Sequence, residues 1–263
     1  MIAPTERFSS RADHYARYRP SYPPAAIELL RTRCGLARGA VVADLGSGTG
    51  ILTELLLQSG AEVFAVEPNA PMRAAAEARL QCYPNFHSLE GSAEATTLAP
   101  ASVDLLVAGQ AFHWFDASRA RAEALRVLRA DAAAALLWNE RPSEASAFLA
   151  EYESLLLKHA ADYARITASR ADPAAMRGFL GEAMELAAFP NEQVLDFAGL
   201  QGRLMSSSYA PEPGHPQYQP MMAGLREIFA RHQHDGHIVM PYSTLVYFSR
   251  PFYQTRTRSS GAR

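Results

Sequence analysis

The sequence predicts an α/β fold built on a doubly wound, parallel sheet, and three observations carry that prediction. Apolar strand-like runs alternate with helix-spaced segments from residue 24 to residue 139. Three alternating glycines, Gly46, Gly48 and Gly50, follow directly on the run Val41-Val42-Ala43. The segment Ile51 to Gln58 then leaves with helical spacing. A strand that turns through bare backbone into a helix aims the helix N-terminus at whatever binds the turn.

Taken in order, the first helix spans Pro24 to Cys34, with prolines at its start and Ile27, Leu30 and Cys34 on one face. Val41–Asp44 reads as strand one and Thr49–Gln58 as its crossover helix. Glu62–Glu67 is strand two, Ala70–Leu80 a helix and Phe86–Leu89 strand three. Val103–Ala108 is strand four, Ser118–Arg129 a helix and Ala132–Asn139 strand five, although the alanines there favour helix by propensity alone. Beyond Asn139 the rhythm changes. Ser143–Lys158 and Pro173–Met184 read as inserted helices, Glu192–Phe197 as a sixth strand, and a helix follows through Leu204. Pro211–Pro220, with four prolines and a glycine, reads as a loop or lid. Met221–His232 is helical, and His237–Phe248 has strand-like β-branched and aromatic content.

At 263 residues the chain can bury one large core, and a single domain over residues 1–263 with a helical cap is the simplest organisation. A net charge of −2 leaves no electrostatic footprint for nucleic acid. Arg250–Arg263 is locally basic but reads as a frayed terminus. Two cysteines, Cys34 and Cys82, are too few for a disulfide framework or a zinc site and read as small hydrophobes in a reducing compartment. With no apolar leader and no run long enough to span a membrane, the expected setting is cytoplasmic. Oligomeric state is not legible.

The glycine spacing discriminates between ligands. A dinucleotide fingerprint, G-x-G-x-x-G, would need its third glycine at position 51, which is Ile. The pattern here is Asp44-Leu45-Gly46-Ser47-Gly48-Thr49-Gly50, and Glu67 follows 23 residues after Asp44, where an acid can accept both ribose hydroxyls of an adenosine. This pattern resembles the S-adenosylmethionine site of class I methyltransferases. The resemblance implies roles for particular residues. Gly46, Gly48 and Gly50 let backbone approach the methionine end, whose carboxylate meets amides at the helix start. Asp44 orients the loop or meets the ammonium, and Glu67 takes the ribose. Met72 lies against adenine or simply packs in the core. In Gly91-Ser92-Ala93-Glu94, class I enzymes often carry an acid in the Ser92 slot, so Ser92 or Glu94 must take over the adenine amine. Ser92, Ala93 and Gln110 complete the expected cofactor set, with S-adenosylhomocysteine as product and no metal.

Strand four ends in Gly109-Gln110-Ala111-Phe112-His113-Trp114-Phe115-Asp116, an aromatic cluster with one histidine. Aromatic faces suit a sulfonium cation and shape a substrate pocket. His113 is the candidate base for a hydroxyl or amine nucleophile, or else a structural histidine. The arm Tyr15-Ala16-Arg17-Tyr18-Arg19-Pro20-Ser21-Tyr22-Pro23 offers Arg19 as a carboxylate clamp, the alternative being an arm packed across the sheet with its arginines solvated.

Together these segments, with Leu137-Trp138-Asn139, are similar to a type-11-like subgroup that includes the trans-aconitate methyltransferases, across roughly residues 8–140. That resemblance implies a Rossmann-like sheet of seven strands, mostly parallel with the last antiparallel. It also implies an arm over residues 1–23 and a cap over about 142–184 enclosing the substrate. Catalytic candidates are His113 and Arg19, and substrate-binding candidates are Tyr15, Arg19, Tyr22, Trp114 and Tyr209. Where relatives carry a proline-glycine-glycine turn, this chain has Arg129-Ala130-Asp131-Ala132. His232-Gln233-His234-Asp235-Gly236-His237 reads as solvated histidines rather than a metal site. Ser47 with His113 makes no hydrolase, because Gly46-Ser47-Gly48 lacks the G-x-S-x-G elbow.

The expected function is methyl transfer from S-adenosylmethionine to a small, partly apolar molecule, at oxygen of a carboxylate or hydroxyl. A carboxylate arrives ionised and needs only a cationic clamp; a hydroxyl needs a base. The alternatives are an N-, C- or protein methyltransferase, or a protein that binds the cofactor without transferring methyl. Nucleic-acid methylation is disfavoured by charge and by the lack of an Asn/Asp-Pro-Pro-aromatic sequence after strand four.

Overall fold

The computed structural model describes residues 17–142, 144, 146–164 and 173–252. Its strands are β1 (Val41–Leu45), β2 (Glu62–Val66), β3 (Phe86–Leu89), β4 (Val103–Gly109), β5 (Leu128–Glu140), β6 (Glu185–Leu195) and β7 (Ile238–Ser249). They form one sheet in the order β3-β2-β1-β4-β5-β7-β6. All pairs from β3 to β5 are parallel, and β7 is antiparallel to both β5 and β6 between which it lies. The expected doubly wound sheet with a reversed last strand is therefore present.

Eight helices surround it among the described residues: α1 (Pro24–Cys34), α2 (Ile51–Gln58), α3 (Ala70–Leu80), α4 (Ala117–Val127), α5 (Ala147–His159), α6 (Pro173–Leu180), α7 (Phe197–Met205) and α8 (Tyr218–His232). One sheet face is covered by α1 and α2 through Leu30, Leu52 and Leu56. The other is covered by α4 and α6 through Ala124, Met176 and Phe179. A third apolar cluster joins α5, α7 and α8 to the start of β7 through Tyr152, Leu200, Leu225 and Met240. The expected cap segment thus divides: α5 joins this third cluster, α6 packs on the sheet, and residues 165–172 lie outside the described residues.

Several boundaries differ from the sequence reading, each for a local reason. Helix α2 starts at Ile51, not Thr49, because Gly50 holds φ +80° as its N-cap. Helix α4 starts at Ala117, where the Asp116 carboxylate accepts from the amides of Ser118 and Arg119. It ends at Val127, and Arg129–Ala132 is part of β5 rather than a turn. The alanines of β5 are strand because Ala132–Ala135 are buried between helices on both faces, so packing overrides propensity. Helix α6 stops at Leu180 because Gly181 adopts φ +89°. Strand β6 begins seven residues earlier than expected; its largely exposed pattern tolerates Pro190 because it is an edge strand. Helix α8 starts inside the proline-rich stretch, at Tyr218.

Phe179 is fully buried and meets Phe112 and Phe252 at centroid distances of 5.1 and 5.6 Å. Phe179→Ala is expected to cost about 3–5 kcal/mol. That should lower the midpoint of a circular-dichroism melt by roughly 6–15 °C.

Candidate active site

The glycine loop owes its shape to three left-handed residues, with φ of +64° at Gly46, +58° at Gly48 and +80° at Gly50. An L side chain is strained in that region. At Gly46 a Cβ would also lie 2.7 Å from the Ala111 Cβ. The loop hangs on β2, because the amides of Gly46 and Ser47 both donate to the Val66 carbonyl, at 2.8 and 3.3 Å.

Glu67 braces this loop from the end of β2. One carboxylate oxygen accepts from the Gly48 amide and the other from the Asn69 amide, each at 2.9 Å. Asn69 caps α3 by accepting from the Met72 amide at 3.0 Å, and Arg73 donates to the Glu67 carbonyl at 2.9 Å. Burial raises the Glu67 carboxyl above its ordinary range, opposed by the two amide bonds and by Arg73. Each oxygen keeps a lone pair for a further donor.

Asp44 is 1% exposed at the end of β1. Its Oδ2 accepts from the Thr53 hydroxyl at 2.7 Å, while its buried Oδ1 has no partner among the described residues. Burial pushes this carboxyl up to about 7, against the Thr53 bond and helped by the nearby Glu67 charge. A buried acceptor left open beside a glycine loop offers a place to a donor such as an ammonium.

Two cavities meet at this loop, sharing Arg19, Gly46, Gly48, Gly109 and Gln110. The first, about 270 Å³, is lined by Glu67, Asn69, Met72, Ala93, His113 and Trp114. Ser92 and Glu94 also face it, but the Glu94 carboxylate already accepts from the Asp116 amide at 2.8 Å. The second, about 260 Å³, is lined by Tyr22, Asp44, Trp138, Arg141, Tyr163 and Arg203. Gln110 stands between them with φ +60°, a conformation uncommon outside glycine, and its amide donates to the Leu137 carbonyl at 2.9 Å. The Tyr22 hydroxyl crowds Gly109 so closely that a Cβ there would lie 2.5 Å away.

The arm is strapped over the second cavity. Arg19 donates to the Ser206 carbonyl at 2.9 Å. The Ser21 carbonyl accepts from Asn139 and Asn191, and the Tyr18 carbonyl from Gln193. Arg17 is exposed, over the Tyr18 ring.

The expected site residues therefore gather as follows. Glu67, Met72, Ser92, Ala93, His113 and Trp114 reach the first cavity, Tyr22 and Asp44 the second, and Arg19, Gly46, Gly48 and Gln110 both. His113 sits in a 3-10 turn with its ring 4.5 Å from Trp114. Gly50 reaches neither cavity; a Cβ there would meet Leu80 at 2.7 Å, so its bareness lets α2 and α3 pack. Tyr209 is buried behind Tyr163, ring centroids 4.8 Å apart, and does not line the pocket. Tyr15 lies outside the described residues. In the histidine-rich turn, His232 meets Glu151 at 3.0 Å and His237 meets the Asp235 carbonyl at 2.9 Å. Among the described residues no His/Cys/Asp/Glu group is arranged to hold a metal.

Arg141, Tyr163 and Arg203 were not expected. Arg203 is 4% exposed on α7, a position where helical spacing after Leu200 calls for an apolar residue. That break in the apolar face was the one available signal.

Residues 43–136 match a family described as "Methyltransferase domain". An uncharacterized methyltransferase of Mycobacterium tuberculosis is 42% identical over 134 residues, which cover 51% of this chain and 52% of that protein. Another, from Schizosaccharomyces pombe, is 35% identical over 135 residues, covering 51% and 53%. The chain thus spans about half the length of the curated relatives it matches. Among solved structures, a provisionally named type II methyltransferase from Anaeromyxobacter dehalogenans superposes with a TM-score of 0.63 at 24% identity, covering 89% of this chain and 98% of that one. That likeness shows the fold. Residues 43–136 thus match a methyltransferase domain, and the relatives that share this half of the chain are named as methyltransferases.

Proposed function

We propose that this chain is an S-adenosylmethionine-dependent methyltransferase acting on a small, partly apolar molecule, at oxygen of a carboxylate or hydroxyl. The observation that carries the reading is the meeting of two cavities at one glycine loop, with Asp44, whose buried Oδ1 has no partner among the described residues, lining the second. When bound, the cofactor supplies a methyl already activated on a sulfonium. Glu67 receives the ribose hydroxyls, Met72 and Ala93 flank the adenine, and Ser92 takes its amine. Gly46 and Gly48 admit the methionine end, and Asp44 takes its ammonium. The acceptor occupies the second cavity, lined on its far side by Arg141, Tyr163 and Arg203 of α7, with the arm held by Arg19. Gln110 and Tyr22 line the passage between the two. His113 lines the first cavity; it is the base in this reading only for a hydroxyl acceptor that reaches across the passage, and a carboxylate acceptor leaves it idle. Within its class the chain resembles the trans-aconitate subgroup on Arg19–Pro23 and His113–Asp116. Its charge of −2 argues against nucleic acid. Among the described residues no helix is long and apolar enough to cross a membrane, which favours the cytoplasmic reading.

The test is incubation with S-adenosylmethionine and a panel of small acids, phenols and amines, with S-adenosylhomocysteine as readout. Product formed with acids or phenols is the expected result. Tight cofactor binding without product from any acceptor would favour a binding protein, and transfer to amines alone would overturn the oxygen assignment.

A further inference from the structure

We infer that the second cavity anchors an acidic group of the acceptor, a carboxylate or phosphate, between Arg203 and Arg141. This rests on the methyltransferase reading above and adds the substrate's chemical class. Arg203 and Arg141 line the second cavity but not the first; Asp44 and the glycine loop line that cavity too, so the S-adenosylhomocysteine affinity of Arg203→Met separates an acceptor anchor from a cofactor contact.

Arg203 carries the argument. It is almost fully buried, yet among the described residues only neutral side chains hold it: Nε donates to the Tyr242 hydroxyl at 3.0 Å and Nη1 to the Ser207 hydroxyl at 3.2 Å. A guanidinium stays protonated throughout the physiological range. Taking it out of water without a counter-ion is costly, and such a cost persists where a ligand later offsets it. Arg141 adds a second charge. It donates to the Tyr163 hydroxyl at 3.2 Å and lies 4.0 Å from Glu153, whose carboxylate accepts from that same hydroxyl at 2.6 Å. Among the described residues Glu153 is the one carboxylate within ion-pair distance of either Arg141 or Arg203, and it pairs with Arg141 alone. Asp44 and Glu140 also line the cavity, and neither lies within ion-pair distance of Arg203.

The cationic pair is also held in place. The Tyr242 hydroxyl that accepts from Arg203 donates to Gln193 at 2.8 Å, and Gln193 donates to the Tyr18 carbonyl of the arm at 3.1 Å. Arg141 lies over the Tyr152 ring at 5.3 Å. A guanidinium fixed by such partners presents its remaining N–H groups with little entropy left to lose, which suits the planar or tetrahedral oxygens of an acid. The acid in this arrangement is the handle by which the acceptor is oriented, and the methylated atom lies toward Gln110 and Tyr22.

The test uses the protein saturated with S-adenosylhomocysteine and titrated calorimetrically with phenylacetate, phenyl phosphate and the neutral phenylacetamide. At least one acidic probe is expected to bind about tenfold or more tightly than the amide. The tighter of the two identifies carboxylate or phosphate as the preferred anchor. Arg203→Met should abolish that preference while changing S-adenosylhomocysteine affinity by less than about twofold. Because a buried charge without a counter-ion is removed, the melting point of the ligand-free variant should hold or rise. A merely structural arginine would lower it. Acidic probes that bind no better than the amide, or a preference that survives in both Arg203→Met and Arg141→Met, would overturn the proposal. The wild-type comparison decides even if a variant fails to fold. Failure of the wild-type protein to bind S-adenosylhomocysteine is a separate result, and it removes the underlying reading.

Discussion

Replacing Glu67 with alanine should weaken S-adenosylhomocysteine binding by about a hundredfold, roughly 3 kcal/mol, as expected when a carboxylate that accepts two hydroxyls is lost. The same substitution should destabilise the free protein. The carboxylate accepts from the Gly48 and Asn69 amides, and each amide left unsatisfied in a buried setting costs about 1–3 kcal/mol. Glu67→Gln separates the two effects. Its remaining carbonyl oxygen still accepts one amide, so it should melt closer to wild type than Glu67→Ala while losing about tenfold in affinity. Calorimetry and thermal melts on both variants make the check. Wild-type affinity in Glu67→Ala, at any melting point, would remove Glu67 from the ribose role.

The parts of the fold that were legible share a cause. From β1 to β5 the strands are short, apolar and separated by helices with their own start and stop residues, so local pattern and tertiary outcome agree. Beyond β5 they diverge. Strand β6 is an edge strand whose residues are mostly exposed, so Glu185–Asn191 carry no apolar alternation to read. Helix α6 ends where Gly181 turns left-handed, a stop signal visible in the sequence but outvoted by the apolar residues after it. Strand β5 shows the reverse conflict, since six buried neighbours from Ala132 to Leu137 can be strand only because helices cover both faces.

The candidate site divides along the same line. The glycine loop, Asp44 and Glu67 are legible as neighbours because one short spacing on consecutive elements sets them together. Arg141 and Arg203 are not, because the end of β5 and α7 meet through β7, which pairs with β5 and whose Tyr242 accepts from Arg203, and burial of a lone arginine leaves no mark in one dimension. Tyr209 illustrates the opposite error. An aromatic near a predicted pocket can stand one layer behind it, here packed on Tyr163.

The pH dependence of cofactor binding should be set by Asp44. Its carboxyl titrates at about 7 in the free protein, chiefly because burial disfavours the charged form. An unfolded aspartate titrates near 4, so between those values the folded state binds more protons than the unfolded one. The contribution of this group to stability is therefore present below about pH 4 and lost as pH rises through about 7, on the order of 4 kcal/mol. Binding an ammonium reverses the preference, because a cation at Oδ1 favours the carboxylate. Affinity for S-adenosylhomocysteine should then rise by up to about tenfold per pH unit from about pH 5 to 7, with close to one proton released per ligand at the acid end. Glu67, whose carboxyl is also raised, lies close enough to contribute, so Asp44→Asn is the control. That variant should bind about 10–100-fold more weakly at pH 7 and lose most of the slope. Titrations in buffers of different ionisation enthalpy measure both the slope and the proton count. A slope retained in Asp44→Asn but absent in Glu67→Gln would transfer the titration to Glu67 and leave the ammonium without its assigned partner.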